Sequence, residues 1–231
     1  MECIVLAGGL GTRLRSVVSD LPKCMAPVAG QPFLYYIFHY LQKNGCTHVI
    51  LSLGFKHEVI EEWVMQNDWS FTVSFAIEQE PLGTGGAIKL ALEKSKEEQV
   101  FIMNGDTFFD VNLKEMFENH ADHTSDLSIA LKKMTNFDRY GTVKVNADSR
   151  ITAFQEKEYC TEGYINGGTY LINKKSDLMD KLPAKFSFET AVLQSQNKRV
   201  MMSGYVSDGY FIDIGIPTDF TKANIDFKEL Y

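Results

Sequence analysis

The sequence predicts a single α/β domain with a mixed, mostly parallel central sheet flanked by helices. Three observations carry that expectation. Short apolar runs alternate with helical patterns through the first half, the first such run passes straight into a glycine-rich loop, and the second half turns strand-rich with few helices between. At 231 residues and 45% hydrophobic content the chain can bury a substantial core. Glu2 to Ala7 reads as the first strand. Phe33, Leu34, Ile37, Phe38 and Leu41 recur at helical spacing, and Asn44-Gly45 supplies residue types that end a helix. His48 to Leu53 is the second strand, followed by a helix carrying Val59, Ile60, Trp63 and Val64. Alternation at Phe71, Val73, Phe75 and Ile77 marks a third strand, and Ala87, Ile88, Ala91 and Leu92 another helix. Val100 to Met103 is a fully buried strand. Asp126 to Leu131, Gly141 to Val145, Ile151 to Gln155 and Tyr164 to Ile172 then read as strands of an antiparallel extension, and a final helix begins at Pro217. The layout is Rossmann-like.

Composition removes several function classes. A formal net charge of −7 argues against a nucleic-acid-binding surface, which needs clustered Lys and Arg to neutralise phosphates. An anionic small substrate would need a local positive pocket instead. No run of apolar residues is long enough to span a bilayer, and the first strand has no basic leader ahead of it, so no membrane association and a cytoplasmic location are expected. Cys3, Cys24, Cys46 and Cys160 are scattered without C-x-x-C pairing, so neither zinc nor a disulfide framework is indicated. Phe108-Phe109 is compatible with core or with an oligomer interface.

The run Leu6-Ala7-Gly8-Gly9-Leu10-Gly11-Thr12-Arg13-Leu14 follows the first strand, where parallel sheets present their ligand crevice. Glycines there let successive N–H groups approach an anion, and Arg13 adds a planar fork of donors. The expected ligand is a polyphosphate. The run is not a P-loop, since no Gly-Lys-Ser/Thr follows, and not G-x-G-x-x-G, and the second strand lacks the terminal acid that grips a dinucleotide ribose. Asn104-Gly105-Asp106 also closes an apolar strand, and Asp213 ends another apolar run before Gly215. Two hard carboxylates at such ends suit Mg²⁺, which takes one or two protein carboxylates plus phosphate oxygens.

Leu6 through Leu14, followed by Leu21-Pro22-Lys23 and Met25-x-Pro27, resembles the opening signature of the sugar-1-phosphate nucleotidyltransferases. The resemblance implies that Leu6, Gly8, Gly9, Gly11, Thr12 and Arg13 hold the nucleotide phosphates while Lys23 reaches the α-phosphate, with Arg13, Lys23 and Asp106 as the catalytic groups. Cys24 stands where the family often has proline. Glu78 to Ala87 looks like the family's base-recognition loop, with Gln79, Glu80, Gly83 and Thr84 as nucleotide contacts. A carboxylate suits the paired N1–H and 2-amino donors of guanine, so Glu80 with Gln79 is expected to select GTP. By the same resemblance Asp106 and Asp213 hold Mg²⁺, and Tyr140, Gly141, Glu156, Lys157, Asn166, Gly167 and Thr169 line the sugar-phosphate pocket. For Glu156-Lys157 a surface ion pair is the competing reading.

The family assignment implies one domain over 1–231, with a nucleotide-binding part at about 1–110 and a sugar-phosphate part at about 111–231. Within the family the chain looks most like the D-glycero-α-D-manno-heptose 1-phosphate guanylyltransferases, which form GDP-heptose for bacterial surface glycans. The alternatives are a mannose-1-phosphate guanylyltransferase, an N-acetyl-sugar uridylyltransferase, and a non-catalytic nucleotide-sugar-binding subunit.

Overall fold

The computed structural model describes residues 1–9, 21–195 and 200–231. In chain order the first half comprises β1 (Glu2–Leu6), a two-residue-per-arm hairpin of β2 (Pro27–Val28) and β3 (Gln31–Pro32), α1 (Phe33–Lys43), β4 (His48–Leu53), α2 (His57–Met65), β5 (Thr72–Ile77), α3 (Gly83–Leu92), β6 (Gln99–Asn104), β7 (Thr107–Phe109) and α4 (Leu113–Asp122). The second half comprises β8 (Leu127–Phe137), β9 (Gly141–Val145), β10 (Ile151–Lys157), β11 (Cys160–Asn173), a π-helical turn at Glu189–Leu193, β12 (Met202–Ser207), β13 (Phe211–Asp213) and α5 (Pro217–Leu230).

Four parallel strands in the order β6-β1-β4-β5 form one half of the sheet. In β1, β4 and β6 the side chains alternate between two buried faces, which is why the sequence shows apolar runs there, whereas the edge strand β5 keeps the alternation seen in the sequence. In β1, Cys3 and Val5 join one core with Phe33, Leu34 and Phe38 of α1, Ile60 of α2 and Phe227 of α5. Ile4 joins the opposite core with Ile88 and Ala91 of α3 and Val192 and Leu193 of the π turn. The helix over α1 ends where expected, with Asn44 as its C-terminal cap and Gly45 at φ +71°.

β11 is the hinge of the mixed half. β8 runs antiparallel along one side of it, while its other side pairs with β6 through Thr169–Asn173 and with β9 through Tyr164 and Ile165. β12 adds parallel to β8, and β10 adds antiparallel to β9. Two strands are longer than their apolar runs: β8 continues to Phe137 and β11 begins at Cys160, because backbone pairing continues where side chains alternate with solvent. α4 and β12 were not expected. α4 buries only Leu113, Met116 and His120, and it starts after Asn112, whose side chain accepts a hydrogen bond from the Glu115 N–H at 3.2 Å. Phe108 and Phe109 are both core residues. Among the described residues, no helix is long and apolar enough to cross a membrane.

Two polar networks lie inside this frame. At the strand starts, buried Glu2 accepts hydrogen bonds from the Lys96 and Glu97 N–H groups and pairs with His48 Nδ1 at 2.8 Å, while His48 Nε2 meets Ser74 Oγ at 2.8 Å. Burial pushes the Glu2 carboxyl up, but these bonds outweigh it and hold the group below its ordinary value. Beneath α4, His120 Nδ1 meets Ser128 Oγ at 2.7 Å, and Ser128 is linked through Ser203 to Ser125. His120 is 1% exposed, its Nε2 has no partner among the described residues, and burial lowers its pKa to about 4 against a smaller opposing effect of Asp126.

Candidate active site

The C-terminal ends of β6, β1, β4 and β5 open into a cleft of about 710 Å³, within the range of small-molecule sites. Gly8 passes so close to β4 that a Cβ there would stand 3.1 Å from the Gly54 nitrogen and 3.0 Å from Glu78 Oε1. Gly105 donates to the Leu6 carbonyl at 2.9 Å, and a Cβ on it would reach that oxygen at 2.7 Å. These two glycines therefore draw the end of β1, the Asn104-Gly105-Asp106 turn and the end of β4 into one rim.

Lys23 enters from a 3₁₀ turn, Lys23–Met25, anchored by buried Cys24 and Met25. Its ammonium lies 2.5 Å from Asp106 Oδ2 and 3.7 Å from Asp213 Oδ1. The two aspartates are neighbours by construction: β13 pairs antiparallel with β7, placing Asp213 opposite Thr107, and the Ile214 N–H donates to the Asp106 carbonyl at 3.0 Å. Asp213 Oδ1 is further fixed by the Gly215 N–H at 2.7 Å. A cation held between two hard carboxylates is the electrostatic setting a divalent ion requires, so the donor set fits such an ion. No cluster of three metal-ligating side chains occurs among the described residues, so a metal here would complete its shell with substrate oxygens and water. The Cys24 thiol, pushed up to about 12 by burial and then by Asp106, stays protonated and is no nucleophile.

On the other side of the cleft, Glu78 Oε2 accepts from the Leu82 N–H at 2.7 Å, so Glu78 shapes the loop while Gln79 and Glu80 remain exposed along its rim. Gly83, at φ +74°, opens α3. A strap, residues 184–188, clamps this turn: Phe186 N–H donates to the Leu82 carbonyl and its carbonyl accepts from Gly85 N–H, both at 3.0 Å, and Phe188 N–H donates to Thr84 Oγ1 at 2.9 Å. Gly85 and Gly86 lie directly under the strap, where a Cβ would meet the Phe186 ring at 2.0 Å and the Ala184 carbonyl at 2.2 Å, respectively.

A second, smaller cavity of about 110 Å³ is lined by Gly141, Glu156, Lys157, Asn166 and Glu189 among others. Neighbours in a strand ordinarily point to opposite faces, but an irregularity in the β10–β9 register between Phe154 and Lys157 lets Glu156 and Lys157 both reach it. The two do not form the ion pair that was the competing reading; neither side chain has an ion pair or hydrogen bond among the described residues. Asn166 is held by donating to the Tyr170 hydroxyl at 2.8 Å and accepting from the Gly168 N–H at 3.0 Å.

The structure thus brings Leu6, Gly8, Gly9, Lys23, Gln79, Glu80, Gly83, Thr84 and Asp106 to one cleft, with Asp213 against Lys23. Gly11, Thr12 and Arg13 lie outside the described residues. Tyr140 stands apart from the smaller cavity, half-buried against Phe211 and under the Arg139 guanidinium, with its hydroxyl pushed up to about 12 by burial and by Asp213. Gly167 and Thr169 are buried in β11 and do not line the smaller cavity: a Cβ on Gly167 would strike Phe109 at 2.4 Å, and Thr169 pairs with Met103 of β6. Ser52, Gly54 and Phe55 also line the cleft and were not singled out; their signal was their place at the end of the predicted second strand.

The family model described as nucleotidyl transferase matches residues 2–229. The D-glycero-α-D-manno-heptose 1-phosphate guanylyltransferase of Aneurinibacillus thermoaerophilus is 54% identical over 100% of this chain and 98% of its own length. The enzyme of the same name from Campylobacter jejuni is 46% identical over 95% of this chain and 97% of its own. The crystal structure of HddC from Yersinia pseudotuberculosis complexed with GMP-PN superposes with a TM-score of 0.87 at 40% identity, covering 98% of this chain and 99% of that one. With the cleft and the family model agreeing over almost its whole length, the chain belongs to the nucleotidyl transferase family.

Proposed function

We propose that the protein joins GTP and D-glycero-α-D-manno-heptose 1-phosphate to give GDP-heptose and pyrophosphate. The observation that carries this reading is the Lys23 ammonium set between Asp106 and Asp213 on the wall of a nucleotide-sized cleft. Full-length identity to guanylyltransferases acting on this heptose phosphate supports the substrates. The strand order supplies a ruler: from Asp106 after β6 to Glu80 after β5 is three strand steps of about 4.8 Å, the reach of an extended nucleoside phosphate. This span supports an arrangement with the α-phosphate by Lys23 and the base by Glu80, whose carboxylate suits the two adjacent guanine donors.

No protein nucleophile is needed. The sugar phosphate, whose second pKa is about 6, is largely dianionic near neutrality. One of its oxygens attacks the α-phosphorus in line, the new P–O bond forms, and the bond from the α-phosphorus to the bridging oxygen breaks with that electron pair leaving on pyrophosphate. Lys23 neutralises charge building on the α-phosphoryl oxygens, Lys157 holds the incoming phosphate, and Glu156 orients the sugar through its hydroxyls. Arg13 and the glycine loop bind the departing phosphates. Asp106 and Asp213 would hold Mg²⁺, which supplies Lewis-acid stabilisation of the same phosphoryl oxygens.

Pyrophosphate release with Mg²⁺, measured for each nucleoside triphosphate against heptose, mannose and glucose 1-phosphates and an N-acetylhexosamine 1-phosphate, tests the reading. GTP with the heptose phosphate is the pair expected to turn over fastest. Turnover confined to another pair would replace the substrates, and no turnover with nucleotide binding intact would point to a non-catalytic binding subunit.

A further inference from the structure

The π-helical turn Glu189–Leu193 brings a carboxylate to the smaller cavity that the mechanism above does not use. Turns of this kind are rare and gather at functional sites. Its start is fixed from both sides. Phe188 is buried, stacks edge-on against Tyr170 at 5.4 Å and donates its N–H to Thr84, while Tyr170 in turn receives the Asn166 side chain. Glu189 follows directly on this anchored residue, and its side chain is exposed and without an ion pair or hydrogen bond among the described residues. The negative charge also bears on the Tyr170 hydroxyl, whose pKa is raised chiefly by burial and further by Glu189.

The cavity so formed holds two carboxylates, Glu156 and Glu189, and one ammonium, Lys157. Lys157 answers the phosphate, and Glu156 can accept from hydroxyls of the sugar ring. A heptose differs from mannose by one additional hydroxymethylene, which turns a single exocyclic hydroxyl into a vicinal diol. A carboxylate accepts two adjacent hydroxyls through its two oxygens. We propose that Glu189 is the residue that distinguishes heptose from hexose phosphates, its carboxylate accepting hydrogen bonds from the exocyclic diol at the outer end of the sugar pocket. This rests on the heptose reading given above.

The test is a steady-state comparison of wild type, Glu189→Gln and Glu189→Ala with heptose 1-phosphate and mannose 1-phosphate, at saturating and varied GTP. Hydrogen bonds to a charged group of this kind are worth about 10- to 100-fold in kcat/KM. The heptose value is expected to fall by that factor through KM, with Ala at least as affected as Gln, while the mannose value and the KM for GTP stay within about twofold. The preference for heptose then collapses. A wild-type enzyme that prefers heptose 1-phosphate together with variants that keep that preference would overturn the role of Glu189 alone. A parallel loss on both sugars, or a rise in the KM for GTP, would overturn it in favour of a structural role for the turn. A wild-type enzyme inactive on heptose 1-phosphate would overturn both this inference and the substrate reading beneath it.

Discussion

His120 makes stability depend on pH in a direction and an amount that follow from its surroundings. The imidazole is buried under α4, bonded at Nδ1 to Ser128, and its pKa is lowered from 6.5 to about 4 by burial. Above about pH 6.5 neither the folded nor the unfolded chain binds a proton at this site, and its full contribution to stability is present. As pH falls through the next 2.5 units or so, the unfolded chain takes up a proton that the folded chain refuses, and unfolding becomes easier by about 1.4 kcal/mol per unit. The total loss approaches about 3 kcal/mol by pH 4. His120→Asn keeps a polar group where Nδ1 sits and removes the titration. Urea unfolding of both proteins between about pH 7 and about pH 4.5 isolates the effect from the carboxylates they share. The wild type is expected to lose about 2–3 kcal/mol more than the variant over that range. Parallel loss in the two proteins would refute the idea that this imidazole is held neutral.

Replacing Lys23 with Met removes the ammonium between Asp106 and Asp213. It should slow turnover by about 100- to 1,000-fold while tightening Mn²⁺ binding to the nucleotide-free protein; weaker metal binding in a folded variant would mean that the carboxylates are not the site. Glu80→Gln should lessen the advantage of GTP over the other triphosphates with little change in melting temperature, and an unaltered base preference would remove Glu80 from recognition. Gly86→Ala places a methyl 2.2 Å from the Ala184 carbonyl, so it should cost about 1–3 kcal/mol of stability and raise the KM for GTP, read by thermal melting and kinetics; wild-type values would show that the strap yields without effect.

The parallel half of the fold was legible because both faces of β1, β4 and β6 are buried and therefore written as unbroken apolar runs. Much of the cleft was legible from the same strands: the glycine loop follows β1 and Asn104-Gly105-Asp106 closes β6, so these strand ends announce the crevice. α4 escaped because only three of its ten residues are buried, too narrow a stripe to stand out among charges. The strap over Gly85 and Gly86 escaped because its bonds to the α3 turn join segments a hundred residues apart. Glu189 escaped with it, since a five-residue π turn has no periodicity to betray it. Gly167 and Thr169 were expected to line the sugar pocket on motif alone; Thr169 is buried where β11 pairs with β6, and Gly167 is buried against Phe109.

The strap carries a consequence for redesign. Five consecutive residues hold the start of α3 at the larger cleft and lead without a break into the turn that bears Glu189 at the smaller cavity. Under the proposed assignment of the two cavities, a library aimed at new sugars that varies 184–193 is expected to scatter affinity for the triphosphate as well, whereas one confined to β10 and Asn166 leaves the strap's bonds to the α3 turn in place.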